Sequence, residues 1–426
     1  MIKIRLSFKY EIRKTNDKNI AVIKDLIWHV TKVSNILLYD IKNGNEEIDI
    51  KSSLNVLSSK IYSKYRENNW HSKFLHSHML QEAIISIVSS YKSYYKLNEM
   101  YNKNKLSLRG KPNFPRFRKE NNTEIIFTKY AIRYEKNILK LSISKEIQEK
   151  YKLKSLNFLI SKKLRKLIEF SGIKMIKVRL INDKIELNII YEKECKTLSK
   201  EYQNVIAIDL GLNNIVACTN KDNSNTLLVS GKTLKCKNKY INEKISKLQK
   251  INMIALKNSK KHKNTKRIKS LYIKRNNYMN TYMHKVSKMV IDYAKENKVN
   301  TVVIGDIKDI KQNMDYNKNF VQIPLQKLVQ KIEYKAELEG IKIEFIKETY
   351  TSGVSAIDNE EIIKENYNKK RRITRGIFIT NNNIKLNADI NGSLNILRKY
   401  IKNSSPNQEI AMDNGREQRP LKKNVA

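Results

Sequence analysis

The sequence predicts a chain of several domains that combine α-helices with β-strands. With 426 residues, the chain is long enough for two to three domains. Up to about residue 195, short strand-like runs surround a stretch of helical spacing, whereas strands and helices alternate after it. We therefore expect a mixed α+β and α/β architecture. It begins with a β-barrel that carries an inserted helical lobe, and it continues with a domain built on a mixed sheet and helices.

The charge balance points to a polyanionic partner. Lysine and arginine number 85 against 42 aspartates and glutamates, which gives a formal net charge of +43 and a pI near 9.9. Such an excess opposes a compact state that has no partner of opposite charge. Hydrophobic residues still make up 40% of the chain, so the protein folds and is not a basic tail. We expect nucleic acid as the partner.

The sequence predicts neither a membrane span nor a disulfide framework. No stretch approaches 18 consecutive apolar residues, and the N-terminus alternates apolar and basic residues without a signal-peptide core. The three cysteines, Cys195, Cys218 and Cys236, are scattered and form no Cys-x-x-Cys pair. These features predict a cytoplasmic protein without structural zinc and without a membrane partner.

The N-terminal half is expected to combine the barrel and the helical lobe. Residues 1–10 alternate as a strand does, and residues 18–42 and 76–98 carry apolar side chains at helical spacing. Asn16 or Asp17 is placed to cap the first helix. Short strand-like runs fill residues 123–195. We assign the barrel to residues 1–17 and 100–198, and the helical lobe to residues 18–99.

Residues 103–119 are basic and aromatic. Pro112 and Pro115 preclude a regular helix or a central strand, and Phe114 and Phe117 lie among the basic side chains. Such a segment suits phosphate contacts combined with stacking on bases or sugars. A solvated linker is the alternative. The nucleic-acid-binding candidates here are Lys111, Arg116 and Arg118.

The second half is organised around residues 205–216. Small and branched apolar residues predict a buried strand that ends at Asp209, and Gly211 then allows the chain to turn. A carboxylate at the end of a core strand is costly to bury unless it is paired or binds a metal. Asp209 is therefore a candidate metal ligand, with a simple turn cap as the alternative.

A strongly basic helical segment follows. After a third strand at residues 225–231, residues 240–297 are expected to form one or two long helices. Basic side chains cover more than one face of the first part, which predicts a sequence-blind, salt-sensitive clamp on the backbone of a duplex. The candidates in this insert are Lys260, Lys261, Arg267 and Arg275.

The last elements lead to two further acids. We expect a buried strand at residues 301–306, a helix at 324–339 and a strand at 341–346 that ends just before Glu348. Asp389 lies in the first turn of a final helix, where an acid also favours the helix N-terminus as a simple cap. The second domain is assigned to residues 199–402, with inserts at 240–297 and 351–386, and residues 403–426 to a disordered tail.

This order of elements is that of an RNase H-type fold, and three motifs on it resemble one family. Ile206-Ala207-Ile208-Asp209-Leu210-Gly211, Tyr350-Thr351-Ser352 and Asn387-Ala388-Asp389-Ile390-Asn391-Gly392 resemble the RuvC-like nuclease domain of the TnpB family. These transposon-encoded, RNA-guided DNA endonucleases are related to the type V CRISPR effectors. The N-terminal half is similar in layout to that family's wedge barrel with its inserted recognition lobe. The resemblance covers about residues 1–400.

The chain departs from the family pattern in the segment that usually binds zinc. Residues 351–386 contain no Cys or His, so the family's zinc knuckle is absent. Residues 370–378 resemble the metal-free version of this insert that occurs in one branch of the family. The nucleic-acid-binding candidates in it are Arg371, Arg372 and Arg375.

A second departure concerns the middle acid of the site. The family usually has a Glu at the end of the strand that contains Val302–Ile304, whereas this chain has Gly305 followed by Asp306. Glu348 closes the next strand, which is expected to be a parallel neighbour about 5 Å away, and the metal-free branch carries its glutamate there. Asp306 in that role, or an inactive site, is the alternative.

The resemblance implies a two-metal site formed by Asp209, Glu348 and Asp389. Two Mg²⁺ ions, or Mn²⁺ in their place, require shared carboxylate oxygens and would activate water and stabilise the leaving oxygen. Asn391 and Asn395 would steady the substrate or the acids, or would simply be polar helix surface.

The resemblance also implies the partners, the activity and a prokaryotic, nucleoid-associated location. The partners would be a structured guide RNA from the transposon end and double-stranded target DNA, with specificity supplied by base pairing. We therefore predict an RNA-guided, Mg²⁺-dependent DNA endonuclease of a transposon. Two alternatives stay open, namely a nuclease-dead RNA-guided repressor and a guide-independent basic RNA-binding protein.

Overall fold

The computed structural model of the chain divides into two compact units, Lys3–Lys193 and a unit built from Glu194–Ala426. We call them the N-terminal and the C-terminal unit. The structure describes residues 3–425 apart from 13–15, 106–107, 109, 163, 167–171, 182–183, 198–203, 221–225, 256–263, 307–322, 375 and 405–420. No described helix is long and apolar enough to cross a membrane.

The helices of the N-terminal unit pack around one hydrophobic core. Asn16 caps the first helix, since its side chain accepts from the backbone N–H of Lys18, and this confirms one of the two predicted caps. The predicted second long helix is also confirmed, whereas the two helices between them were not predicted. The helices are α1 (Asp17–Lys42), α2 (Leu54–Asn68), α3 (Trp70–Lys73), α4 (Ser77–Lys103) and α5 (Lys145–Tyr151).

The strands of the N-terminal unit form two sheets. The first strand joins the later ones as predicted, in a four-stranded sheet of order β1-β7-β6-β2, and β3-β4-β5 form a second sheet. Whether these sheets close into the predicted barrel stays a prediction. The strands are β1 (Lys3–Glu11), β2 (Ile125–Thr128), β3 (Ile132–Glu135), β4 (Ile138–Ser142), β5 (Ser155–Leu159), β6 (Ile173–Ile181) and β7 (Lys184–Glu194).

A six-stranded mixed sheet of order β12-β11-β8-β9-β10-β15 forms the C-terminal unit's centre. The central strand β8 is antiparallel to β9 and parallel to β11, and β11 is parallel to β12. The carboxyl ends of β8, β11 and β12 therefore meet at one edge. The strands are β8 (Asn204–Asp209), β9 (Asn214–Asn220), β10 (Leu227–Ser230), β11 (Val299–Gly305), β12 (Lys342–Ile346) and β15 (Leu421–Lys423), with a separate hairpin of β13 (Ile377–Ile379) and β14 (Lys385–Asn387).

The C-terminal unit's four described helices include a basic pair. The predicted basic segment is two helices, because the described part of α6 ends at Ala255 and α7 begins at Lys266 after its N-cap, Thr265. The final helix packs on the sheet through Ile396, Leu397 and Ile401, which are buried with Ala207 and Val303. The helices are α6 (Lys232–Ala255), α7 (Lys266–Glu296), α8 (Leu325–Leu338) and α9 (Ala388–Ser404). The predicted mixed, multidomain fold class is confirmed.

The predicted disordered tail is wrong at its end. Leu421–Lys423 form β15, which pairs in parallel with the edge strand β10, and Val425 is buried in the same core as the sheet. An unpaired strand edge exposes backbone hydrogen-bonding groups, and β15 covers this one. The helix before the tail also continues to Ser404, past the predicted domain boundary at 402.

Candidate active site

Asp209 lies at the sheet edge where the parallel strands end. It is the last residue of β8 and follows the buried Ala207 and Ile208. Burial, and next the charge of Asp389, raise the pKa of Asp209 to about 7, while Arg372 and a hydrogen bond from the backbone of Leu210 lower it. Asp209 is therefore held in a confined site beside a second carboxylate.

Glu348 occupies the space that the missing side chain of Gly305 leaves. The register of the parallel strands pairs Gly305 with Ile346 and Ile304 with Ile208. A Cβ atom on Gly305 would lie 2.6 Å from Cδ and 2.7 Å from Cγ of Glu348, and closer still to its Oε1. The glutamate, two residues after the end of β12, thus projects across the end of β11. A residue larger than glycine at 305 and a glutamate at 348 compete for one volume.

One carboxylate oxygen of Glu348, the buried Oε1, is confined and has no hydrogen-bond partner within the described part of the chain. Burial first, and then the charges of Asp209 and Asp306, raise the pKa of Glu348 to about 8. An orphaned carboxylate oxygen is costly in a protein interior, so Glu348 is suited to a cation that would bind between the acids.

The backbone around Glu348 is held by the final helix. Thr351 donates from its hydroxyl to the carbonyl of Glu348 at 2.8 Å, and Asn395 donates to the carbonyl of Thr351 at 2.9 Å. Lys399 donates to the carbonyl of Lys347 at 3.0 Å. Asn391 and Asn395 are fully buried, so they are internal braces. The interpretation of these asparagines as helix surface is wrong.

Asp389 contributes the third carboxylate from the first turn of α9. Its side chain is not the helix cap, because Asn387 accepts from the backbone N–H groups of Asp389 and Ile390 at 2.9 and 3.2 Å. The carboxylate instead accepts from the side-chain amide of Asn214 at 2.8 Å and from Arg372 at 3.2 Å. The capping interpretation of Asp389 is therefore wrong.

Two residues shape this site although the sequence reasoning assigned them no role. A Cβ atom on Gly392 would lie 2.5 Å from Oδ2 of Asp209, so a glycine lets α9 approach that carboxylate. Asn214, at the start of β9, binds Asp389. Gly392 lies in the quoted Asn-Ala-Asp motif, so its position was available as a signal, whereas nothing in the sequence links Asn214 to a residue 175 positions away.

The donor set fits a hard divalent cation. Asp209, Glu348 and Asp389 supply carboxylate oxygens, which Mg²⁺ and Mn²⁺ prefer, and the orphaned Glu348 oxygen calls for a positive partner. No group of three or more His, Cys, Asp or Glu side chains in the described chain is already arranged around a metal position. Asp389 is instead engaged by Asn214 and Arg372. The types of side chain at the site therefore suit such an ion.

The insert at residues 351–386 is stabilised by polar contacts. Nη1 of Arg371 contacts both carboxylate oxygens of Glu360 at 2.7 Å. Asn381 also donates to Glu360 at 2.7 Å, and its backbone N–H donates to Asp358 at 2.7 Å. Burial raises the pKa of Glu360, but the hydrogen bonds from Arg371, Ser355 and Asn381 outweigh it and lower the pKa overall. The Arg371 guanidinium is thus used within the insert, and its predicted contact with nucleic acid stays a prediction.

Two of the three basic candidates of the N-terminal unit, Arg116 and Arg118, border a cavity of about 630 Å³. Arg116 is exposed, and so is Lys111, which lies nearby in the chain. Arg118 is half-buried and donates to the hydroxyl of Ser86 at 2.6 Å, and burial lowers its pKa. The cavity wall also contains Lys177, Arg179, Glu82 and Glu124.

The basic candidates of the C-terminal unit lie partly on the helix pair α6–α7. Arg267 is exposed and borders a cavity of about 550 Å³ whose basic residues are Lys244, Lys247, Lys266, Arg267 and Lys274. Arg275 is half-buried and donates to Asn238 at 2.6 Å. Lys260, Lys261 and Arg375 lie outside the described residues.

Family models match two stretches of the C-terminal unit. The OrfB_IS605 model, described as a probable transposase, matches residues 188–311. A model of the Cas12f1-like TNB domain matches residues 326–396. The second stretch includes Glu348, Asp389 and the whole insert.

One curated protein and one solved structure extend these matches. The TnpB-like protein ORF457 of Acidianus two-tailed virus is 31% identical over 103 residues, which are 24% of this chain and 21% of that protein. The matched segment thus spans about a fifth of that relative. The cryo-EM structure of a Cas12f1–sgRNA–target DNA complex has a TM-score of 0.64 and 17% identity, and covers 92% of this chain and 98% of that one. This second likeness concerns the fold.

Proposed function

We propose that the chain is a TnpB-like, RNA-guided DNA endonuclease related to the type V effectors, which its matches to two family models, a TnpB-like viral protein and a Cas12f1 structure support. Its hydrolytic site consists of Asp209, Glu348 and Asp389. The observation that carries this proposal is the placement of Glu348 over Gly305 at the carboxyl edge of the sheet. The family usually has a Glu at the end of the strand that is β11 here, and this chain has Gly305 instead. Glu348 would supply the third carboxylate in its place.

The charges of the site support a divalent cation as cofactor. The three carboxylates would hold Mg²⁺, which would supply Lewis-acid activation of water and stabilisation of the leaving oxygen when bound. The protein's own part is to keep acidic oxygens at one place and largely out of water. The raised pKa values of Asp209 and Glu348 mean that both must lose protons to bind the ion.

Nucleic-acid partners follow from the charge and from the relatives. A solved structure with a similar fold is, by its title, a complex with an sgRNA and target DNA. A formal charge of +43 favours binding to a polyanion. We propose a structured guide RNA from the transposon end and double-stranded target DNA as partners. The basic groove on α6–α7 and the basic loop with Lys111 and Arg116 would contact phosphates without reading sequence.

The proposed function includes an assignment of residues to domains. Residues 1–17 and 100–198 would form the wedge barrel, residues 18–99 the recognition lobe, and the C-terminal unit the RuvC-like nuclease with its zinc-free insert. The described sheet order, with β8 at the centre and two parallel strands beside it, supports the RNase H-type part. In this assignment, the recognition lobe belongs to the N-terminal unit and the cutting site to the C-terminal unit.

The test is cleavage of a target plasmid by the purified protein–RNA complex with Mg²⁺. Asp209→Asn, Glu348→Gln and Asp389→Asn should each abolish cleavage while target binding persists. Asp306→Asn is the matched control, since Asp306 follows Gly305 and contributes charge to the same site. If Glu348→Gln still cuts while Asp306→Asn does not, the assignment of the second acid is wrong.

The same preparation separates the two alternatives. Target binding without nicks in the wild-type complex would indicate a guided repressor. Sequencing of copurified RNA tests guidance itself, because one abundant species from beside the gene supports it. Bulk ribosomal RNA would indicate a guide-independent RNA-binding protein and would overturn the proposal.

A further inference from the structure

Arg372 contacts a carboxylate of the site it borders. It lies just after the single turn of 3₁₀ helix at Lys369–Arg371. Its Nη2 donates to Oδ1 of Asp389 at 3.2 Å. The other carboxylate oxygen, Oδ2, accepts from Asn214 at 2.8 Å. Both oxygens of Asp389 are therefore occupied by groups of the protein itself.

The neighbouring arginine shows how different this contact is from a structural ion pair. Arg371 engages both oxygens of Glu360 at 2.7 Å, and the two side chains are only 20% and 15% exposed. Within the described residues, Arg372 makes one longer hydrogen bond, to Asp389 at 3.2 Å, and its side chain is 35% exposed. A partly exposed, single-bonded ion pair is weak and easily exchanged. The insert thus holds one arginine firmly and leaves the next one free to change partner.

The position of Arg372 has an electrostatic consequence for the whole site. Asp209, Glu348 and Asp389 bring negative charge into a confined volume, and Arg372 acts on Asp209 as well as on Asp389. A guanidinium at this place supplies part of the positive charge that a divalent cation would supply. The arginine and the cation therefore compete for Asp389.

We propose that Arg372 is a built-in counter-ion that weakens divalent-metal binding at Asp389 until a nucleic-acid phosphate draws it away. This inference rests on the proposed function, because it assigns Asp389 to the metal site. A guanidinium binds phosphate through two parallel hydrogen bonds, which exceeds the single bond to Asp389. The scissile strand would then both release Asp389 and gain a contact with Arg372. Metal binding would be coupled to substrate binding through one side chain.

The first test measures Mn²⁺ binding by calorimetry on the full chain without nucleic acid. Arg372→Gln should bind Mn²⁺ about three- to tenfold more tightly than wild type, as expected from the loss of a weak competing ion pair. Lys370→Gln is the matched control, because Lys370 is exposed in the same turn and its loss removes the same charge. Asp209→Asn should lose the binding, which identifies the site.

Equal affinities of wild type and Arg372→Gln would overturn the inference. An equal gain in Lys370→Gln would also overturn it, because the effect would then be general charge and not competition at Asp389. Circular dichroism confirms that each variant is folded. The readout needs neither guide nor cleavage, so it is independent of whether the complex cuts DNA.

The second test adds a twelve-nucleotide single-stranded DNA with phosphorothioate linkages, with Mn²⁺ binding by the oligonucleotide alone subtracted. Wild-type affinity for Mn²⁺ should rise to about that of Arg372→Gln, and the variant should not change. An unchanged wild type would overturn the release by phosphate. If the wild-type protein–RNA complex cuts its target but Arg372→Gln does not bind Mn²⁺ more tightly, only this inference is refuted. If Arg372→Gln binds Mn²⁺ more tightly but the wild-type complex does not cut, only the proposed function is refuted.

Discussion

Replacing Gly305 by alanine should disable the site without unfolding the protein. The added Cβ would lie 2.6 Å from Cδ of Glu348, against about 3.5 Å for an ordinary carbon contact. The carboxylate must therefore move by roughly 1 Å, and a displacement of that size can reduce catalysis about 100-fold. The cost in stability should stay near 1 kcal/mol, because only the end of a flexible side chain has to change rotamer.

The assay is single-turnover plasmid cleavage by the purified protein–RNA complex, alongside target binding. Gly305→Ala should cut about 100-fold more slowly while target affinity changes less than about twofold. Gly172→Ala is the matched control, since a Cβ there would meet nothing within 4 Å. A wild-type cleavage rate in a folded Gly305→Ala protein would refute the reasoning that Glu348 acts from this place.

A double substitution tests the same idea in the opposite direction. Glu348→Ala should be inactive, and Gly305→Glu combined with Glu348→Ala returns a carboxylate to the volume that the two positions share. We expect this pair to recover at least about tenfold over Glu348→Ala alone, which corresponds to about 1.4 kcal/mol of transition-state stabilisation. If the double variant is folded, binds its target and cuts no faster than Glu348→Ala, the shared-volume argument fails.

Four further predictions concern protonation, packing and charge. Glu348→Gln should stabilise the metal-free protein, and the gain should increase between pH 5 and pH 8. The pKa of the Glu348 carboxyl rises from 4.5 to about 8 on folding, so the folded state binds this proton more tightly than the unfolded state. The stability of the wild type therefore falls as the pH rises through this range, whereas the glutamine cannot titrate. The full pKa shift corresponds to a difference in unfolding free energy of at most ~5 kcal/mol, which solvent screening reduces to about 2 kcal/mol. Thermal unfolding of both proteins with and without Mg²⁺ measures this difference. A difference that does not depend on pH would contradict the prediction. Arg371→Ala should destabilise the insert by about 2–3 kcal/mol at pH 7, because it leaves Glu360 without its ion-pair partner. Since the pKa of Glu360 is lowered, the difference should shrink as pH falls below 4.5, and hydrogen exchange in residues 355–381 would reveal it. Gly392→Ala should slow cleavage about 10- to 100-fold by pushing the Asp209 carboxylate, although alanine favours a helix by about 1 kcal/mol; full activity would show that the approach is not needed. Arg267→Gln should lower the salt slope of RNA binding by about one unit, and an unchanged slope would remove Arg267 from the interface.

Most of the fold could be predicted from local patterns. The apolar run before Asp209, the alternation in residues 1–10 and the helical spacing of residues 18–42 depend on neighbours in the chain, and the structure confirms each of them. The resemblance to an RNase H-type fold predicted that β11 and β12 are parallel neighbours, and the structure confirms this pairing, whereas the full strand order was not predicted. The missed elements were those with weak local signals. The helices at Leu54–Asn68 and Trp70–Lys73 are short or polar, and β15 has only three residues.

The candidate site divides in a similar way. The sequence by itself determined that Asp209 ends a core strand and that Asp389 opens the final helix, because hydrophobic periodicity and composition are local properties. Only the tertiary structure decided that Glu348 fills the space above Gly305, that Gly392 admits the Asp209 carboxylate, and that Asn214 and Arg372 hold Asp389. These contacts join residues that are far apart in the chain. Their distances depend on strand register and helix docking, which are set by the packing of the whole core.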